Sequence, residues 1–398
     1  MSSSCRTQSD VTYVINKKDL IEDLDQMLSD LDSSYIYTSV KNIDFQCIHD
    51  HYKAEVDKIE SEEDEVLLFE YLIDEFYDSH LILNTNRNSS YRLYAPIYVS
   101  YRDAKIIVDN VWTSQIAELN HEIIDAEVLS LNGVAIDKVI ESFPTACHDK
   151  SQVEIREWIA NKVIAGRYNE SRILKLQLAD KSIIELNIDS IRIKESDAKL
   201  SIVIEDNIAI IRINNALGDN SLISEFDKAI DSAMDTKALI LDLRNTVAGG
   251  NSYVAKGIMS RFINKAAGYQ KHRSIEQYGE GPQVERSWIE YVSPRLTHYD
   301  KPVTVLVGRW TGSMGEGLAI GMDAIRETDI MGTEMERLAG GMYYFPFQHR
   351  KYGYRLSLEK IFHIDGTPRE NYIPELYNRQ FSNLNDELLL RALEKHRS

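Results

Sequence analysis

No run in this 398-residue sequence approaches the ~18 apolar residues that a membrane-spanning helix needs. The first sixteen residues, MSSSCRTQSDVTYVIN, contain no apolar core of the kind an export signal carries. Cysteine is scarce: Cys5, Cys47 and Cys147 are odd in number and widely spaced, so neither a disulfide framework nor a zinc pattern is expected. Positive charge is also in deficit, with 45 Lys and Arg against 63 Asp and Glu and a formal net charge of -18. Nucleic acid and anionic membrane surfaces both need a cationic footprint, which argues against either as a partner. No internal repeat and no low-complexity tract is visible. The expectation is a soluble chain, cytoplasmic as written, or periplasmic or secreted if an export signal has been removed. The sequence does not indicate the oligomeric state.

What is present is ordinary globular material. Hydrophobic residues make up 43% and charged residues 27%, and the length calls for two or three domains. After a polar tail over 1–16, expected to be loose, residues 17–77 read as helical. KDLIEDLDQMLSDL puts Leu20, Leu24, Met27, Leu28 and Leu31 on one face. In SEEDEVLLFEYLIDEFY, Ser61 is placed to cap a helix, with Asp64 three residues on and acids filling the first turn. That helix is predicted to stop near Asp78, where YDSHLILNTN turns strand-like.

Residues 91–189 read mostly as strands. Asn132-Gly133 joins two apolar runs, and both residues tolerate the positive φ of a tight hairpin. SRILKLQLADKSIIELNI reads as a second hairpin, and SQVEIREWIANKVI as an amphipathic helix. From about Ser201, strands alternate with helices: NIAIIRI, KALILDLR, PVTVLVG and DIMG against SLISEFDKAIDSAM and EGLAIGMDAI. In such an α/β arrangement ligands are expected where strands end and helices begin.

TGSMGEGLA, residues 311–319, sits at one of these junctions. Its Ser313 could be a nucleophile, part of an anion cradle, or a turn residue. Thr311 stands where G-x-S-x-G needs its first glycine, and no G-K-[ST] follows. An unrelated phosphate site is disfavoured, because no Lys or Arg lies on the helix side and Glu316 would repel phosphate. A serine nucleophile also needs a base and an anion hole. His80 in YDSHLIL, Gly249-Gly250 in DLRNTVAGGNS and Glu370 in DGTPREN are candidates, although each alone has a plain structural reading.

Taken in order, these stretches resemble the C-terminal-processing, or tail-specific, family of serine peptidases and its tricorn-core-like branch. The matches are Asp78-Ser79-His80, then Glu127, Leu129, Asn132 and Gly133 of an E-x-L-x-x-N-G pattern. Asp242-Leu243-Arg244 with Gly249-Gly250, Ser313 with Glu316, and Asp365 to Pro368 with Pro374-Glu375 complete the set. The resemblance implies a multi-domain α/β fold. A flexible tail (1–16) would precede a helical region ending in the histidine motif (17–88), a PDZ-like β-rich module (89–195) and an α/β catalytic domain of the ClpP/crotonase-like type (196–398).

One branch of the family uses a Ser–Lys dyad with the lysine roughly 25 residues after the serine. Here no lysine occurs between Ser313 and Lys351, and ERLAGG fills that region. The histidine branch is implied instead. Ser313 would attack, His80 would act as general base, and Ser79 and Glu370 would orient the imidazole. Met314 and Gly249 or Gly250 would supply the oxyanion N–H groups, while Glu316 opens the following helix rather than doing chemistry. No metal and no cofactor is implied, and the substrate would be a peptide or an unfolded protein. The alternative is an inactive relative that binds a peptide or apolar ligand in the same cleft.

Overall fold

Side-chain caps begin three of the first four helices, each taking backbone N–H groups that the first turn leaves unpaired. The computed structural model describes residues 15–117, 119–194 and 196–397, so the expected tail lies outside the described residues save for Ile15 and Asn16. Asn16 caps α1 (Lys17–Ser34) and Asp44 caps α3 (Phe45–Glu55). Ser61 and Asp64 form the anticipated capping box on α4 (Glu62–Asp74), whereas the short α2 (Thr38–Lys41) has no side-chain cap. The five apolar residues of α1 are buried together, as their spacing predicts. α4 ends at Asp74, four residues short of the predicted stop. The core of these helices also takes Phe347, Tyr354 and Leu356, so they pack on a sheet built from the far end of the chain. The strand-like run after α4 contributes only β1 (Ile82–Leu83).

The β-rich stretch forms one antiparallel sheet. Its strands are β2 (Ile97–Arg102), β3 (Lys105–Val111), β4 (Glu127–Leu131) and β5 (Val134–Ala135), then β6 (Ile173–Gln177) and β7 (Ile183–Asn187). The order is β2-β3-β4-β6-β7, with β5 also on β4. Asn132 and Gly133 take φ of 50° and 80°, the turn expected there. Between β5 and β6 come α5 (Ile136–Glu141) and α6 (Val153–Ala165), and α6 packs along the edge strand β2.

The expectation that the cysteines would stay unpaired is overturned. Cys47 in α3 and Cys147, in the loop after α5, form a disulfide with Cα atoms 5.8 Å apart. Wide sequence spacing hid the pair. The helical region folds back on this loop, and buried Glu75 accepts the N–H groups of Ala146 (2.6 Å) and Cys147 (3.1 Å).

The rest of the chain comprises β8 (Leu200–Glu205), β9 (Ile208–Ile213), α7 (Leu222–Ala233), β10 (Ala238–Asp242), α8 (Ser252–Met259), β11 (Ala267–Glu276) and β12 (Val284–Val292). There follow β13 (Val303–Val307), α9 (Met314–Ile325), β14 (Asp329–Gly332), β15 (Gly341–Pro346), β16 (Gly353–Phe362), β17 (Leu376–Tyr377) and α10 (Glu387–Arg397). Strands β9, β10, β13, β14 and β17 run parallel, and β8 closes the β9 edge antiparallel. Both faces are covered, which is why these strands are nearly all apolar. Ala209, Ile211, Leu239, Leu241, Val303 and Val305 pack against α7, α8 and α9. The alternate residues Ile208, Ile210, Ala238, Ile240 and Leu306 pack against Ala392 and Leu393 of α10. A second, antiparallel sheet of β1, β16, β11 and β12, with β15 also on β16, was not anticipated from the sequence.

Denatured without reductant, the chain should show one titratable thiol, Cys5, and three after reduction. Removing a link that closes a loop of about 100 residues (Cys147→Ser) should cost roughly 2–5 kcal/mol in denaturant titrations. An equal midpoint for both proteins would mean that the bond does not constrain the fold.

Candidate active site

Ser313 sits in the turn between β13 and α9, at the ends of the parallel strands where a site was expected. Its φ is 48° and its ψ -108°, a conformation that costs a non-glycine residue about 1–3 kcal/mol and persists only where its surroundings impose it. Two neighbouring loops do so. Thr311 is fully buried and donates its hydroxyl to the Leu243 carbonyl (3.0 Å), and Gly312 N–H reaches the Thr246 carbonyl (3.3 Å). These bonds tie the turn to the loop after β10 and bring Gly249 against the serine. Gly249 has φ +64°, and a Cβ there would lie 2.6 Å from the Ser313 Cβ and 3.2 Å from the Met314 nitrogen. Its value is its missing side chain, because its own N–H is spent on the Thr246 carbonyl at 2.9 Å. Among the described residues, the N–H groups of Met314 and Gly250 have no hydrogen-bond partner.

His80 comes from the loop between α4 and β1, 233 residues away in sequence. Its Nε2 lies 3.1 Å from Ser313 Oγ and its Nδ1 lies 2.9 Å from the Ala339 carbonyl. If Nδ1 carries the proton and donates to that carbonyl, Nε2 is left as the acceptor facing the serine. The ring is 3% exposed. Burial and then the nearby Arg369 charge push its pKa down to about 4, against the opposite pull of the Ala339 carbonyl and Asp78. The imidazole is therefore neutral at pH 7 and able to accept a proton.

Ser79 and Glu370, expected to orient this ring, do not bond to it here. Ser79 is exposed and accepts a hydrogen bond from Trp158 Nε1 (3.1 Å). Glu370 lies beside Tyr37, whose hydroxyl it pushes up in pKa after the larger effect of burial. Its Oε2 is buried without a hydrogen-bond partner among the described residues. Nδ1 goes instead to Ala339, which belongs to the ERLAGG segment.

That segment is held from two sides. Glu316, fully buried in the first turn of α9, accepts Ser313 N–H (2.9 Å) and Leu338 N–H (3.2 Å) on Oε2, and Arg337 N–H (2.9 Å) on Oε1. It opens the helix as expected and also joins the serine turn to residues 337–338. Burial pushes its carboxyl up to about 7, while Arg369 and the three N–H donors pull it down. On the other side, buried Arg369 donates from Nη2 to the carbonyls of Leu338 (2.7 Å) and Gly340 (2.8 Å). The Ala339 carbonyl between them also accepts Ser357 Oγ (2.7 Å). Arg369 was missed in the sequence, although it stands next to Glu370. Only its burial distinguishes it from a surface arginine.

Comparison with known proteins bears on the family and the fold. Residues 207–374 match peptidase family S41, and residues 5–74 match the tricorn protease C1 domain. Mature CPAF, solved with lactacystin, shares the fold with a TM-score of 0.64 at 16% identity, covering 95% of this chain and 97% of that one. The photosystem II D1 C-terminal processing protease gives a TM-score of 0.56 at 13% identity, covering 96% and 98%. A putative peptidase from Parabacteroides merdae gives 0.54 at 15% identity, covering 97% and 98%. No curated protein matches the chain. These similarities support a serine-type peptidase that hydrolyses peptide bonds, and the inactive-relative alternative is not favoured. No helix of the described residues is long and apolar enough to cross a membrane.

Two outcomes are expected for this peptidase. Whichever way its amide turns, Glu316→Gln presents an NH2 group to at least one backbone N–H, so the 337–340 segment should shift. A loss of about 10²-fold in kcat with little change in KM is expected, the scale of an ångström-level misplacement. A KM-only effect would sink this. The His80 imidazole, followed by 15N NMR, should titrate well below 6.5, and Arg369→Gln should move its midpoint upward by removing a nearby cation. An unmoved midpoint would assign the whole depression to burial.

Proposed function

We propose that Ser313 is the nucleophile of this peptidase and His80 its general base. Ser313 Oγ attacks the scissile carbonyl carbon while its proton passes to His80 Nε2. The imidazolium then returns that proton to the leaving amine, and a water repeats the sequence to release the acyl group. The 3.1 Å approach of Nε2 to Oγ carries this reading. The Ala339 carbonyl holds the tautomer in which Nε2 is the acceptor. We assign the oxyanion to the N–H groups of Met314 and Gly250, with Gly249 providing clearance. One such donor contributes roughly 3–4 kcal/mol to the transition state. The carboxylate whose charge favours the imidazolium is Asp78, and we keep Glu370, beside Tyr37, as a positioning residue. Ser79 takes no proton. It seats the histidine loop through Trp158.

The substrate we infer is an extended or unfolded peptide segment, since a peptide bond must reach a serine flanked by packed loops. We infer a division into a helical region (17–88), a β-rich PDZ-like module (89–195) and a catalytic part (196–398). The Cys47–Cys147 disulfide favours an oxidising compartment, where such bonds persist, over the cytoplasm suggested by the N-terminal sequence.

A fluorophosphonate probe tests the assignment. Wild type should label at neutral pH, Ser313→Ala should not label, and His80→Ala should label far more slowly. Glu370→Ala should lower the rate and leave peptide binding in place. Labelling that survives Ser313→Ala would show that another serine is the nucleophile.

A further inference from the structure

Given the peptidase reading above, the route by which substrate reaches this site turns on one sheet edge. β2 is an edge strand, so alternate residues aim their N–H and C=O groups away from β3. A module of this shape would take up a peptide end by adding it as a strand at such an edge, in the groove beside the neighbouring helix. Here α6 already holds the outward groups. Asn161 accepts Val99 N–H (3.0 Å) and donates to the Val99 carbonyl (2.8 Å), much as a partner strand would. Glu157, one helical turn earlier, accepts Tyr101 N–H (3.0 Å) and the Tyr98 hydroxyl (2.9 Å). A terminal carboxylate entering this groove would meet the Glu157 carboxylate and no open N–H at Val99 or Tyr101.

The adjacent i, i+4 pair on the same helix faces the histidine loop. Trp158 donates to Ser79 Oγ and packs edge-on against Tyr77 at 5.3 Å, and Lys162 pairs with buried Asp74 at 3.0 Å. Lifting α6 to admit a peptide would therefore release the segment that carries His80 and strand a buried carboxylate. The module also grips the serine loop. Trp112 stacks on Trp310 (centroids 5.3 Å apart, planes 5° apart) and donates to the Arg244 carbonyl (2.7 Å), while Trp310 donates to the Ala95 carbonyl (2.9 Å).

We propose that the β-rich module is a brace holding the His80 and Ser313 loops in register, that α6 closes the β2 edge permanently, and that cleavage does not require a free substrate carboxylate. Peptides identical in sequence but ending in a carboxylate or an amide test this through kcat/KM. The two should agree within about twofold, and an amide slower by about tenfold or more would overturn the proposal. Glu157→Ala combined with Asn161→Ala opens the edge and should slow both peptides alike, because the brace loosens. A selective gain for the free-acid peptide would show a displaceable seal and overturn it as well. Binding of labelled free-acid and amide peptides to Ser313→Ala, read by polarisation, keeps the two readings separate. Carboxylate-dependent capture there would defeat this proposal even if the fluorophosphonate experiment had already defeated the nucleophile assignment.

Discussion

Residues 337–340 are the part of the molecule on which the catalytic geometry depends. They touch Ser313 through Glu316 and touch His80 through the Ala339 carbonyl. Two buried side chains of opposite charge hold them, Glu316 through N–H groups and Arg369 through carbonyls. A shift of the segment therefore moves the Ser313 turn and the His80 ring together. It also occupies the region where the dyad branch of the resemblance would place its lysine. In this chain the region supplies a carbonyl that fixes the His80 imidazole.

The proposed catalytic pair comes from regions 233 residues apart, and long-range packing supplies what chain connectivity does not. The histidine loop follows a helix whose neighbours bury themselves against β16, and β1 pairs with β16 immediately after His80. The β-rich sheet reaches both loops through tryptophans. The Cys47–Cys147 bond ties the helical region to that sheet's α5 loop. Loop-closure entropy opposes bringing such distant segments together, which makes cross-links and buried anchors at these places more effective than local propensity.

The local grammar of the chain was legible wherever a short-range pattern determined it. The Ser61 box, the Asn132-Gly133 turn, the buried parallel strands and the serine turn all follow from spacing within a dozen residues. The sheet of β11, β12, β15 and β16 was not, because its strands mix apolar with charged residues: QKHRS and VERSWIEY alternate imperfectly, and several of their apolar side chains are solvent-facing. The disulfide and Arg369 escaped for a related reason. Their meaning lies in what folds onto them from 100 residues away or across the site, and a single sequence carries no such signal. Motif order is what pointed to Ser313, His80 and Glu316. The ring's actual partner could not be found that way, because it is a backbone carbonyl and any residue at position 339 offers one.

A buried ion set is a weak source of net stability, since desolvation offsets much of the Coulomb gain. Its better-supported use is registry, and that is what the serine turn requires. Ser313 holds a positive φ worth about 1–3 kcal/mol of strain, so the turn would relax if its contacts were merely apolar and adaptable. Glu316 binds the strained residue's own N–H and two N–H groups of the opposing segment, three directional contacts from one carboxylate. Glu336 lies close by, and burial together with the Glu316 charge raises its pKa far above the normal carboxylate range. Arg369 then balances the remaining charge while depressing the basicity of His80. The arrangement gives up some folding free energy and keeps in place a base that is unprotonated in the resting site.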